Sequence, residues 1–199
     1  MATDKKQILI ATRNSGKIKE LKKMLEDFPF TLRSLNEFPN VSEPEETGAT
    51  FAENAILKAR EYAKSTNLWA LADDSGLEVA VLQGAPGVFS ARYAGKDASD
   101  KEKNRKLLEE MREKDDRRAR FVCAMALANE KGEIKFLGEG ICNGEIALKS
   151  SGINGFGYDP IFIPENYGRT FAELSGDVKR KISHRARAIR KIIDFLRDF

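Results

Sequence analysis

A short apolar run, Gln7–Thr12 (QILIAT), passes through Arg13-Asn14 directly into an amphipathic helix pattern. A run of that length bounded by a turn reads as a buried strand. In Ser15–Glu26 the apolar residues Ile18, Leu21 and Leu25 share one face among lysines and glutamates, with Ser15 as the expected N-cap. A buried strand feeding an amphipathic helix must lay that helix on a sheet, which points to an α/β fold.

The pattern continues along the chain. Thr31–Ser34 reads as a second strand, 36–48 as a loop, and Thr50–Lys64 as a helix opened by a Thr50/Glu53 capping box. Ala52, Ala55, Ala59 and Ala63 give that helix a small-residue face. Trp69–Ala72 is expected to be a strand that stops in an Asp73-Asp74-Ser75-Gly76 turn. Leu77–Leu82 fits a strand or a short helix equally, 83–95 is a loop, and Ser99–Glu113 is a charged helix. Ala119–Ala128 and Glu133–Ile146 read as a β-hairpin turned at 129–132. A glycine-rich loop, Ser150–Asp159, precedes a last strand at Ile161–Ile163. Val178–Phe199 closes the chain as one helix with Ile182, Ala186, Ile189 and Ile193 on its stripe, which puts residues 184 and 185 off the core face. Early alternation and a late hairpin predict a mixed sheet flanked by helices, in a single domain spanning 1–199.

Composition narrows the function. With 199 residues, 41% hydrophobic, the chain can bury a core. Its 34 basic and 31 acidic residues leave +3, too even for nucleic-acid binding by bulk charge, so any anion site is local. Cys123 and Cys142 have no metal-ligand spacing and read as buried, reduced thiols. The first strand begins too early for a signal peptide, and no apolar stretch approaches the ~20 residues of a membrane helix. A cytoplasmic protein is expected, with no membrane and no nucleic-acid partner.

Chemistry concentrates in a few places. Thr12-Arg13-Asn14-Ser15-Gly16-Lys17 joins a strand to a helix N-terminus, where free N–H groups and the positive dipole end attract phosphate. It is not a P-loop, because Ala11 and Ile18 stand where that motif needs Gly and Ser or Thr. The alternative is an ordinary turn with a solvated lysine. Asp73 and Asp74 end a buried run, and a carboxylate there suits Mg²⁺, which takes carboxylate, phosphate and water oxygens. A capped turn is the alternative. Glu43, Glu45 and Glu46 offer a further metal ligand or a merely solvated loop. Phe156 and Tyr158, set among glycines, could stack on a base or plug a core. Lys179, His184 and Arg185 could hold phosphate or a base oxygen, or form a solvated basic face. His184 is the only histidine, which excludes a histidine-rich metal centre.

Together these pieces resemble the inosine triphosphate pyrophosphatases, which clear ITP, XTP and their deoxy forms. The resemblance rests on TRNSGKIKEL (12–21), EETGATFAENAILKA (45–59), ADDSGLEV (72–79), GAPGVFSARYAG (84–95), GFGYDPIF (155–162) and SHRARA (183–188). It implies an elongated mixed α/β fold of two lobes with a central cleft, a homodimer and Mg²⁺ dependence. It also implies cleavage of a purine nucleoside triphosphate to the monophosphate and pyrophosphate. Carried over by residue, Thr12, Arg13, Asn14, Ser15, Gly16 and Lys17 hold the triphosphate, with Lys58 a further phosphate ligand. Glu45 and Asp74 bind metal, and Asp74 is the general base. Ser75 contacts substrate. Phe156, Gly157, Tyr158 and Asp159 bracket base and sugar. Lys179, His184 and Arg185 complete recognition. Two rivals stand beside this reading. One is a pyrophosphatase for other modified or pyrimidine nucleotides. The other is a nucleotide- or RNA-binding module without chemistry, against which Asp73, Asp74 and Glu45 argue, since they repel phosphate unless a cation intervenes.

Overall fold

The computed structural model describes residues 6–197. In chain order its strands are β1 (Gln7–Ile10), β2 (Thr31–Ser34), β3 (Trp69–Val79), β4 (Arg118–Ala128), β5 (Ile134–Ile146) and β6 (Phe162–Pro164). The helices are α1 (Ser15–Met24), α2 (Phe51–Thr66), α3 (Asp100–Glu110), α4 (Gly176–Ile182) and α5 (His184–Arg197). The strands make one six-stranded sheet in the order β2-β1-β3-β4-β5-β6. β1 pairs in parallel with β2 and with β3, and β5 pairs antiparallel with β6, so the sheet is mixed as expected.

The chain clusters into two compact units. One comprises the chain up to Asp74, Ala124–Glu139 and the segment from Ala188 on; the other comprises Ser75–Cys123 and Gly140–Arg187. In the first unit β1 buries Ile8, Leu9 and Ile10, as a central parallel strand covered on both faces must. The chain leaves β1 for β2 on one side and returns past it to β3 on the other. Right-handed crossovers therefore lay α1 and α2 on opposite faces. The alanine face of α2 holds at Ala55, Ala59 and Ala63, which are fully buried, whereas Ala52 is half-buried; the Thr50/Glu53 capping box forms. In the second unit Phe121, Phe162 and Phe171 form the centre of an apolar cluster that includes Leu107, Ile161 and Leu174.

Several elements depart from the sequence expectation. Asn14, not Ser15, caps α1: its side chain accepts the Lys17 N–H at 3.1 Å, and its backbone is extended as an N-cap requires. β3 does not stop at Ala72. It runs straight through Asp73-Asp74-Ser75-Gly76 to Val79, so the turn reading of that tetrapeptide is wrong. Turn-prone residue types are overridden here by the place of β3 inside the sheet, between β1, which pairs with it at Trp69–Leu71, and β4. A short 3₁₀ turn, Ala80–Leu82, follows. The closing segment is two helices, not one, with Ser183 in an extended conformation between them. Residues 198 and 199 of the expected helix lie outside the described residues. The hairpin turn forms at Asn129–Gly132, where Asn129 Oδ1 accepts the N–H groups of Lys131 and Glu133 and Gly132 takes φ +79. Both cysteines are free and buried. No described helix is long and apolar enough to cross a membrane.

Candidate active site

The straight course of β3 decides how its two aspartates are used. Successive side chains of a strand point to opposite faces, and each aspartate meets the helix on its own face. Asp73, 1% exposed, pairs with Lys17 of α1 at 3.1 Å. Asp74, 6% exposed, takes Lys58 Nζ of α2 on Oδ1 at 2.8 Å. The pair is thus not a joint clamp on one ion. Asp73 anchors the lysine of the phosphate-type turn, and Asp74 faces a separate acid–lysine cluster.

Lys58 Nζ also donates to Glu46 Oε1 at 2.9 Å. Burial opposes the Lys58 charge, but Asp74, Glu46 and Asp73 outweigh it and its pKa is raised. Burial pushes the Asp74 carboxyl above its ordinary value; Lys58 and Lys17 pull it back and Glu46 adds to the rise. A carboxylate held in that state is a stronger base than one in water. The acidic loop is irregular and alternates in exposure from Glu43 to Gly48, so it presents Glu46 inward and leaves Glu45 exposed. Glu46, rather than Glu45, is therefore the loop residue brought to Lys58 and Asp74. Gly48 sets that course: its N–H donates to Asn54 Oδ1 at 2.8 Å, and a Cβ there would lie 2.7 Å from that oxygen. Arg13 is tied by Nη2 to the Val41 carbonyl at 2.8 Å. Thr12 Oγ1 accepts the Asn14 N–H, and the first turn of α1 contains no acidic residue. Tyr62, one helical turn beyond Lys58, is buried with a hydroxyl that has no hydrogen-bond partner.

The second unit carries a different cluster. Lys179 Nζ donates to Asp159 Oδ2 at 2.5 Å, and the same oxygen accepts the Phe156 N–H at 2.8 Å. Gly155 is required beneath it: φ is +78, and a Cβ would fall 1.9 Å from that carboxylate. The Lys179 ammonium lies 4.7 Å from the Phe156 ring centroid and the Arg185 guanidinium 5.8 Å. Arg185 also donates to Ser75 Oγ at 2.9 Å, and His184 stacks on Phe121 at 4.6 Å.

Two expectations fail in this cluster. His184 and Arg185 are not on a solvated face; they are 4% and 1% exposed. The apolar stripe of the sequence spans Ser183, where the helix breaks, so its phase does not carry across. Tyr158 is a core plug: it is 4% exposed, and its hydroxyl donates to the Ser90 carbonyl at 2.9 Å. Only Phe156 keeps a half-buried ring in that loop. Sequence reasoning also missed Asp100 and Asn104 of α3, which bond the N–H and the carbonyl of Gly157. Their i, i+4 spacing puts them on one helix face, but nothing in a charged helix pattern says which loop that face meets.

Oxygen donors of this kind suit a hard divalent cation. Among the described residues, no group of three or more His, Cys, Asp or Glu side chains is gathered that could hold a metal ion. An ion at Asp74 would then complete its shell from phosphate and water, the usual habit of Mg²⁺.

These features can be set beside known proteins. A Bacillus cereus protein named dITP/XTP pyrophosphatase is 48% identical over 190 residues, covering 94% of this chain and 93% of its own. A Syntrophobacter fumaroxidans protein of the same name is 53% identical over 182 residues, 92% of this chain and 78% of its own. The solved structure of a HAM1 protein from Coxiella burnetii is similar with a TM-score of 0.89 at 46% identity, over 98% of this chain and 100% of that one. The Staphylococcus aureus Ham1 protein gives 0.86 at 45%, over 97% and 99%. The Ham1 family model matches residues 8–195, a span that takes in the α1 turn, the aspartates of β3 and the Gly155–Asp159 loop alike, and the chain belongs to the Ham1 family.

Proposed function

We propose that this chain hydrolyses deaminated purine nucleoside triphosphates (dITP, ITP and XTP) to the monophosphate and pyrophosphate. The observation that carries the chemistry is the buried Asp74 carboxylate held by Lys58. Its raised pKa suits a general base that takes the proton of a water attacking the α-phosphorus. Lys58 keeps that carboxylate ionised and aimed. Lys17, anchored by Asp73, and the N-terminal N–H groups of α1 bind the triphosphate. Thr12 and Asn14 shape the turn, and Arg13 braces it. Asp74 and Glu45 would hold the divalent metal, for which we propose Mg²⁺. Glu46 is engaged by Lys58, whereas Glu45 is exposed to the solvent from which a hydrated ion arrives. When bound, the ion stabilises charge on the leaving pyrophosphate.

Base choice follows from what the second unit offers. Lys and Arg side chains donate and never accept. Lys179 and Arg185, beside Phe156, therefore favour oxo groups at purine positions 6 and 2 and disfavour amino groups there. Hypoxanthine and xanthine pass; adenine fails at position 6 and guanine at position 2. A buried polar mismatch of this sort discriminates by ~10⁴. Asp159 fixes Lys179, and His184 and Ser75 fix the neighbourhood of Arg185. The chain works as one functional domain. The family resemblance supports a homodimer, and two buried free thiols suit the reducing cytoplasm.

The test is pyrophosphate release from dITP, XTP, dGTP, dATP and dUTP, with Mg²⁺ and after chelation. Release from dITP and XTP that needs the ion is expected, and Asp74→Asn should lower it by at least ~10². Equal turnover of dGTP would sink the specificity, and near-normal Asp74→Asn turnover would sink the base.

A further inference from the structure

The Gly155–Asp159 loop is gripped at a single residue, on the peptide groups either side of its Cα, by a helix that no recognition motif includes. Gly157 donates its N–H to Asp100 Oδ2 at 2.6 Å and accepts on its carbonyl from Asn104 Nδ2 at 3.0 Å. Both partners come from α3, one turn apart on the same face. Asp100 is itself steadied by Lys103 Nζ at 2.7 Å on its other oxygen.

Three observations say that this grip serves more than packing. First, Asn104 is 5% exposed, and its Oδ1 has no hydrogen-bond partner. A buried unsatisfied acceptor is costly, and an apolar side chain beside Leu107 would avoid that cost. The one bond its amide donates, to Gly157, is what the position obtains in return. Second, Gly157 has φ +63, a conformation that L side chains rarely adopt, so the backbone is held where only glycine sits without strain. Third, a Cβ on Gly157 would meet nothing within 4 Å. Gly157 is held by α3, and the space its Cβ would take is open.

We propose that Asp100 and Asn104 are positioning residues for base recognition. They hold the Gly157 backbone as a rigid rim beside Phe156, so that the base meets a preformed surface rather than ordering the loop on binding. This rests on the function proposed above. The clamp acts on binding of the base and not on the chemistry at Asp74.

Steady-state kinetics with dITP on Asn104→Leu, Asp100→Ala and Asp100→Asn, with pyrophosphate as product inhibitor, test it. Asn104→Leu and Asp100→Ala should raise KM about tenfold, the equivalent of one hydrogen bond. Their kcat should stay within about twofold, and the inhibition constant of pyrophosphate should not move. Asp100→Asn keeps an oxygen to accept the Gly157 N–H and should retain the wild-type KM. The proposal is overturned if KM is unchanged in Asn104→Leu and Asp100→Ala. It is also overturned if Asp100→Asn is as impaired as Asp100→Ala, or if pyrophosphate inhibition shifts together with KM. Asp100 is exposed, so its two variants decide the matter should Asn104→Leu fail to fold. Wild-type protein that releases no pyrophosphate from dITP would refute the function itself; active wild-type protein with unchanged variants refutes only the clamp.

Discussion

Two neighbouring glutamates, Glu45 and Glu46, show how much a single residue's placement decides. Glu46 shares the Lys58 ammonium with Asp74, and its charge helps to raise the Asp74 pKa. In the proposed role of general base Asp74 must be deprotonated, so activity is expected to fall as pH drops through that raised value. Glu46→Gln removes one source of the rise and should move the acid limb of the kcat profile to lower pH. Glu45→Gln should leave that limb in place and instead raise the Mg²⁺ concentration needed for half-maximal rate, by about tenfold for a lost carboxylate ligand. Rate profiles against pH and against Mg²⁺ separate the two. An Mg²⁺ requirement that shifts only in Glu46→Gln would exchange their roles. Asp74 also couples to stability. Its folded pKa is raised, so the folded state holds more protons than the unfolded one between the two values, and stability falls as pH rises through that window.

At the scale of elements, the break between α4 and α5 matters most. Ser183 ends α4 in an extended conformation, and its Oγ accepts the Ala186 N–H at 3.1 Å as the cap of α5. That cap starts α5 with His184 and Arg185 in its first turn, both turned inward. Ser183→Ala should cost about 1 kcal/mol, a fall in Tm of roughly 2–4 °C for a chain of this size. If α5 is phased by this cap, Arg185 loses its aim at Ser75 and the KM for dITP rises as well. Thermal melting and KM measured on one preparation check both, and an unchanged Tm would show that the cap is not what holds the break. β3 makes the same point from the other side. Its four polar or glycine residues read as a turn in isolation, yet they lie mid-strand in β3, which β1 pairs at Trp69–Leu71 and which has β4 on its other side in the sheet.

For the whole molecule, the function proposed above divides the chemistry between the two units. It assigns to the lysine–carboxylate cluster of the first unit the groups common to every triphosphate. It assigns to the cations around Phe156 in the second what differs between purines. Lys17→Ala should therefore lower kcat/KM for dITP and dGTP by similar factors. Lys179→Ala should narrow the dITP-to-dGTP ratio by about tenfold or more, as loss of a donor from a base site does. Parallel kcat/KM measurements on the two substrates decide it, and a Lys17→Ala change in the ratio as large as that of Lys179→Ala would refute the division.

What the chain could say for itself was local. Apolar periodicity marked β1, α1 and α2, the Thr50/Glu53 pair marked the start of α2, and Asn129 with Gly132 marked the hairpin, because each depends on residues within a turn or two of one another. The motif residues Lys17, Lys58, Asp74, Asp159, Lys179 and Arg185 were legible as chemistry for the same reason: their types and order survive without coordinates. Pairing was not legible. That Asp73 answers to Lys17 and Asp74 to Lys58 depends on which faces α1 and α2 cover, that Glu46 turns inward depends on Gly48 packed against Asn54, and that α3 holds Gly157 depends on contacts more than fifty residues apart. Such contacts form only when the sheet order brings distant segments together, and sequence spacing carries no record of that distance.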